Sequence, residues 1–486
     1  MKLFIRLLII LFSIYLLLLI PDFSEPQIIS ANEKPYSWNR DDFWKKQEQL
    51  FSQARTTNPQ NIDSVISKLK IISERNLDML ITDGLSPEDS IFKTTLLSFF
   101  ELAPYVAVRQ ENTNWYIEYY NQVRNIIKKK SQSWNMDSKP ARNTVYELLY
   151  GMRASVEEVL LQSDSTHFQE VMKVNDVPSQ TPSAQIFGMT IHSGDILVSR
   201  GGAEVSALIS RGNDYPGNFS HVAFIYIDDS SKTPHFIEAH IERGVAVSSL
   251  EKYVADKKLR VMVLRLRNDL PELRKDPFLP QKAAEFSFQE AGKRHIPYDF
   301  KMNFKDSTCM FCSEVASSAY KKKGIELWKS ESTISSQGVV NWLSEFGVEN
   351  FVTQMPSDLE YDPQLAVVAE WRGSELLMKD HIDNAVMDVL YQSADEGKEL
   401  NHNFFLLPFV RVIKLYCMIQ IQFGIESVIP EGMSATQALK NNTLVDLHVS
   451  LKTETEKLVE KFIKENGYRP PYWQLVNLAK QAQTEQ

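Results

Sequence analysis

Only one stretch of this chain, residues 194–266, reads as β-strand, and it lies between two long blocks that read as helix. Within it, Gly194-Asp195-Ile196-Leu197-Val198 is a turn entering a short apolar strand. SHVAFIYI (220–227), HFIEAH (235–240) and LRVMVLRL (259–266) carry the β-branched and aromatic residues of strands. Asp228 to Pro234 has the composition of a hairpin loop. Upstream, Ile62, Val65, Ile66, Leu69 and Ile72, and then Val145, Leu149, Met152, Val156, Val159 and Leu160, recur at helical spacing. Ser86-Pro87-Glu88-Asp89 predicts a helix start. Residues 175–185 (NDVPSQTPSAQ) lose all periodicity and read as a linker. Downstream come a helix near 281–291, a loop with Pro297-Tyr298-Asp299, and a helix from Cys312 to Lys323 closed by Gly324. The chain past Trp328 is mostly helical. The pattern predicts an α+β protein with a small antiparallel sheet plus helices, flanked by N- and C-terminal helical regions. Expected segments are 1–31, a helical domain 32–174, a linker 175–188, a central domain 189–345 and a helical region 346–486.

Composition removes several classes of function. A net charge of −9 offers no broad basic face for phosphate neutralisation, so no nucleic-acid partner is expected. With 43% hydrophobic residues the chain is not broadly disordered. Three cysteines cannot build a disulfide framework. Lys2 and Arg6 precede an apolar run, Leu7 to Ile20, which as a helix would rise only about 21 Å against a hydrocarbon core of ~30 Å. It is expected to be an export signal, cleaved near Ile29-Ser30-Ala31, or an uncleaved N-terminal membrane anchor. Either way the protein is expected in the periplasm or cell envelope. No second long apolar run is read, so the remainder is expected to be soluble.

The cysteines differ in what they can do. Cys417 lies in an apolar helical run and reads as a small core hydrophobe. Cys312 opens a helix, where the partial positive charge of the N-terminus favours thiolate, and cysteines so placed can have pKa values of roughly 3.5 to 7.5. A thiolate nucleophile needs a base, and the base needs an orienting group. His221 opens one strand, and Glu238 and His240 share a face of the next. A hairpin pairing 227 with 232 pairs 221 with 238 and sets Glu238 beside His221; a slip of two residues sets His240 there. Cys309 and Cys312 form a C-x-x-C, but no second ligand pair follows, so no metal and no cofactor is expected. A Cys309–Cys312 disulfide would disable the nucleophile and so act as a redox switch. Lys128-Lys129-Lys130 reads as a solvated helix end.

These strings, in this order, carry a resemblance. Gly194-Asp195-Ile196, Ser220-His221-Val222-Ala223, Ile237-Glu238-Ala239 with Gly244-Val245, Tyr298-Asp299 and Cys312-Ser313-Glu314 look like the circularly permuted papain-like hydrolases of the YiiX/YebB type, relatives of NlpC-type cell-wall peptidases. In that family the histidine strand precedes the cysteine helix, as His221 precedes Cys312 here. Asp358-Leu359-Glu360-Tyr361-Asp362-Pro363 and Ala369-Glu370-Trp371-Arg372 resemble segments that follow the domain in some members. The resemblance implies a cysteine hydrolase with Cys312 as nucleophile, His221 as base and Glu238 as third polar residue. Tyr298 and His240 would lie near the substrate. An amide or acyl bond of a cell-envelope substrate is the expected target, a cell-wall peptide first and a lipid acyl bond as the alternative. A lipid predicts apolar surface beside the cleft, through Tyr215, Phe219 and Phe304; a murein peptide predicts a polar groove with Arg200 and Arg211. A non-catalytic reading stays open, in which the helical flanks dock an unknown protein on a degenerate hydrolase scaffold.

Overall fold

The computed structural model describes residues 2–20, 35–36, 42–163, 167–202, 204–306, 308–328, 332–423 and 427–485. The cleavage site at Ile29-Ser30-Ala31 lies outside the described residues. At the centre is a seven-stranded sheet. Its strands are β1 (Val171–Lys173), β2 (Ile196–Gly201), β3 (His221–Ile227), β4 (Pro234–His240), β5 (Gly244–Ser249), β6 (Lys258–Leu266) and β7 (Leu365–Arg372). They lie in the order β1-β7-β6-β2-β3-β4-β5, and every neighbouring pair is antiparallel.

The expected α+β architecture is present, and the sheet reaches beyond 189–345 at both ends. β1 falls in the stretch read as helical domain, and β7 in the stretch read as helical C-terminus. β1 is only three residues long, and both strands pair with partners far away in sequence, which local periodicity does not register. Part of the expected linker is ordered too, with Ser183–Ile186 pairing with Met189–His192.

One face of the sheet packs on helices Leu279–Lys293 and Cys312–Lys322, through Val222, Phe224, Ala284, Val315 and Ala319. The opposite face is covered by the 183–192 hairpin and by Tyr253 of helix Leu250–Ala255. The Gly194-Asp195 turn is structural. Gly194 has φ +92°, and a Cβ there would lie 2.3 Å from Pro280 Cβ, so only glycine fits. Asp195 accepts both Arg265 Nε at 2.7 Å and Nη2 at 2.8 Å.

The two helical flanks share one apolar core rather than standing apart. Phe99, Tyr116, Val156 and Leu160 from the N-terminal side and Val386, Leu390, Leu475 and Ala479 from the C-terminal side belong to it. The upstream positions at helical spacing are its interior, with Val145, Leu149, Met152 and Val156 fully buried. The helix expected at Ser86 begins at Ser90, because Asp89 caps it and its carboxylate accepts the Ser86 N–H at 2.6 Å. The lysine run is not wholly solvated. Lys128 is buried and donates to the carbonyls of Glu360, at 2.6 Å, and Asp362. Burial pulls its pKa down to about 7.

A second apolar helix does exist. Phe404–Ile421 has the length and hydropathy of a membrane segment and is only 17% buried, whereas the similarly apolar Ser90–Val108 is 61% buried as a core helix. Arg411 and Lys414 interrupt the run in sequence, which conceals it.

Candidate active site

β3 and β4 set the first half of the site. Their hairpin takes the slipped register of the two, with Ile227 opposite Pro234 and Ala223 opposite Glu238, and the His221 and His240 rings lie 5.4 Å apart. The loop is wider because the Asp228 carboxylate gathers the N–H groups of Ser230 (3.0 Å) and Ser231 (2.7 Å), and Lys232 adopts φ +54°. Glu238 nonetheless finds His221, along the diagonal: Oε2 lies 2.9 Å from Nε2. Its other oxygen is 3.4 Å from His240 Nε2. That nitrogen also receives Arg243 Nη2 at 2.8 Å, so it is engaged as an acceptor and His221 is left as the hydrogen-bond donor to the carboxylate. Glu238 is buried. Burial alone would raise its pKa; the hydrogen bond from His221 and the adjacent His240 hold it well below the usual carboxylate range. A carboxylate can only accept, so the His221 proton resides on Nε2 and Nδ1 is the basic nitrogen.

Cys312 supplies the second half of the site. The helix begins at Cys312, where it was expected, and Glu314 Oε2 accepts the Phe311 N–H at 3.0 Å to close its first turn. The Ser313 side chain and the backbone N–H groups of Val222 and Ser313 favour the thiolate. The expected low pKa is not found: burial outweighs these donors and pushes the thiol up to about 11. Among the described residues no hydrogen bond joins Sγ to the His221 ring, but both line one cavity of 690 Å³, together with Ser220, Glu238, His240 and Tyr298. The resting site therefore holds a thiol and a carboxylate-backed imidazole in the lining of one cavity. Alkylation of Cys312 by iodoacetamide is accordingly expected to rise about tenfold per pH unit from pH 7 to pH 9. A rate independent of pH, followed by peptide mass spectrometry, would reveal a preformed thiolate.

Tyr298 is where the resemblance implies, beside Cys312. Burial first, and then the charges of Cys312, Asp299, Glu242 and Glu314, raise its pKa well above the usual phenol value, so the hydroxyl stays protonated. Its loop is pinned by Gly244 (φ +70°), where a Cβ would lie 2.1 Å from Ile296 O. A narrower cavity of 90 Å³ also reaches Cys312 and Tyr298, and its other lining is almost wholly apolar, including Ile209, Phe300, Phe311 and Phe346.

The residues chosen to discriminate substrates lie elsewhere. Arg200 and Arg211 are buried and paired with Asp380 and Asp388, so neither lines a peptide groove. Phe219 is buried, Tyr215 stacks on Tyr36 and Phe304 lines a separate pocket. The apolar residues that do border the main cavity include Ile209, Ile241, Val410, Ile413, Ile429 and Met433. Several of these come from the C-terminal region, at sequence distances that leave no local signal. Cys309 and Cys312 are both free thiols, and Cys417 is a core residue beside Ile429 and Met433. The ligating atoms of His221, Glu238 and His240 lie within 4.8 Å of one another, but the nearest Nε2 contact of His221 is the carboxylate itself.

Residues 190–369 match the family described as permuted papain-like amidase enzyme, YaeF/YiiX, C92 family. That segment, somewhat over a third of the chain, is similar to the permuted papain-like amidases. No curated protein and no solved structure matches the chain. The matched segment contains His221, Glu238, Tyr298 and Cys312, and it runs on through most of β7, in keeping with that strand's place inside the sheet.

Proposed function

We propose that the protein is a thiol-dependent hydrolase that cleaves an amide or acyl bond of a cell-envelope substrate through an acyl-enzyme on Cys312. The supporting observation is the Glu238–His221 hydrogen bond in the lining of a cavity that Cys312 also lines from a helix start. In the first step Sγ bonds to the substrate carbonyl carbon as its proton passes to His221 Nδ1. Buried, negatively charged Glu238 stabilises the imidazolium, and N–H groups at the helix start face the developing oxyanion. The C–N or C–O bond then breaks as His221 returns the proton to the leaving group. In the second step His221 takes a proton from water, the hydroxide attacks the thioester, and the thiol is restored with release of the acid. The apolar helix Lys2–Leu18 fits an export signal or membrane anchor, and hence an envelope location.

The direct test is capture of the intermediate. Incubation with an activated acyl ester is expected to add one acyl group to Cys312, labile to hydroxylamine and read by peptide mass spectrometry. Acylation slowed by about 100-fold or more in His221→Ala supports the assignment. Acylation at the same rate in that variant supports the scaffold reading instead.

A further inference from the structure

Helix Leu407–Gln422 with its preceding turn presents an outward face without a single charge: Phe405, Phe409, Val412, Leu415, Tyr416 and Ile419 are all exposed. Its two cations are turned the other way. Arg411 donates to the Leu18 carbonyl at 2.8 Å, and Lys414 donates to the carbonyls of Pro430 (2.5 Å) and Glu431 (2.9 Å). Surface helices in water place their charges outward and their apolar residues inward; this one does the reverse.

Its neighbour identifies what covers it. The end of helix Lys2–Leu18 meets this helix through Tyr15, whose hydroxyl donates to Phe405 O at 3.1 Å and whose ring contacts Phe409 edge-on, at 6.3 Å between centroids. Helix Lys2–Leu18 is apolar all round and exposed at nearly every position from Phe4 to Leu17, with Lys2 and Arg6 at its start. A folded protein partner or a second copy would cover one side of such a helix, whereas lipid covers all of it. The two helices thus form one continuous apolar surface of the kind that seats in a bilayer.

The same element walls the site. Val410 and Ile413, one turn from the outward residues, line the main cavity with Ile429 and Met433, and the narrow apolar cavity opens at Cys312 from the other side. Resting on the hydrolase reading above, we infer that helix 407–422 lies in the membrane surface and that Cys312 takes its substrate from there: an amphiphile whose acyl chain runs along this wall and whose scissile amide or ester carbonyl reaches the sulfur. The leaving amine or alcohol departs on the polar side, past His221 and His240.

The full chain in vesicles of phosphatidylcholine and phosphatidylglycerol tests this, with a fraction of the lipid carrying a diazirine in the acyl chain. Photolysis is expected to label peptides from 404–423 as well as from 2–18. Labelling confined to 2–18 would overturn the proposal, as would concentration-dependent cross-linking between copies through 404–423. Turnover supplies the second arm. A p-nitroanilide of dodecanoic acid held in the vesicles and the soluble p-nitrophenyl acetate are compared for the wild type and for Val412→Glu/Leu415→Glu/Ile419→Glu, which changes outward residues only. The triple variant is expected to lose vesicle-borne turnover about tenfold or more while soluble turnover stays unchanged. Equal retention of both overturns the membrane-fed substrate. If the wild type turns over neither compound and Cys312 takes no acyl group, it is the hydrolase reading itself that fails.

Discussion

Cys312→Ala, His221→Ala and the double variant are expected to fall to one shared floor of hydrolysis, about 1000-fold or more below the wild type. The reason lies in the resting state. Burial holds the Cys312 thiol near a pKa of about 11, so the sulfur is not a nucleophile until a base removes its proton. His221 is the group placed to do so, since Glu238 accepts from Nε2 at 2.9 Å and leaves Nδ1 as the base. Without the imidazole the sulfur is inert, and without the sulfur the imidazole has no proton to take. Groups that act as one unit show losses that do not add. Glu238→Gln keeps the shape but removes the charge that stabilises imidazolium, and is expected to lose less than either. The check is kcat/KM for one acyl substrate across the four variants, with circular dichroism confirming that each folds. A double variant whose loss equals the product of the single losses would mean that the two residues work independently, and the proton-transfer mechanism would be abandoned.

Much of this site was legible before any coordinates, for reasons that are local. Cys312 could be placed at a helix start because Val315, Ala316, Ala319 and Tyr320 follow it at helical spacing and Gly324 ends the run. Glu238 could be matched to His221 because strand alternation puts 238 and 240 on one face, and either register leaves the carboxylate within reach. The register itself was not legible: Asp228 reshapes the loop by hydrogen bonds that composition does not encode. Nor was the sulfur's protonation, since the helix-start effect can be read from sequence but the burial opposing it cannot. β7 and the exposed apolar helix were missed in different ways. The strand is defined by β1 and β6, more than ninety residues away in sequence. In the helix, Arg411 and Lys414 look like solvent-facing charges until their carbonyl partners are seen. Lys128 hides in the same manner, buried against Glu360 and Asp362 while Lys129 is exposed.

Glu157→Ala is expected to destabilise the fold by about 3–5 kcal/mol, the usual consequence of leaving buried charges without their partner. Glu157 is buried on helix Met152–Gln162 and is one of the points where the helical flanks are tied to the sheet, as Arg124 is through Glu370. It accepts Arg260 of β6 at 2.5 Å and 3.1 Å and His381 of helix Ser374–Asp395 at 3.1 Å, with Arg372 of β7 at 3.5 Å. Arg260 also pairs with Asp380, which in turn pairs with Arg200 at 3.3 Å. Truncating Glu157 leaves two arginines short of negative charge in an interior that water does not reach. Its neighbour cannot substitute: burial raises Glu158 to a pKa of about 7, so much of it is neutral, and one of its oxygens already accepts the Tyr472 N–H at 2.8 Å. Burial opposes the charged form of Glu157 as well, yet Arg260, His381 and Arg372 hold its pKa well below the ordinary value. A carboxylate with a depressed folded-state pKa contributes stability above its unfolded pKa of about 4.3 and loses it as pH falls below. Urea midpoints measured from pH 2 to pH 8 should therefore show a constant gap between wild type and Glu157→Ala down to a pH of about 4.3, narrowing only below it as the wild type alone loses this contribution. A gap below about 1 kcal/mol at pH 7 would mean that the junction between flanks and sheet is held by its apolar contacts instead.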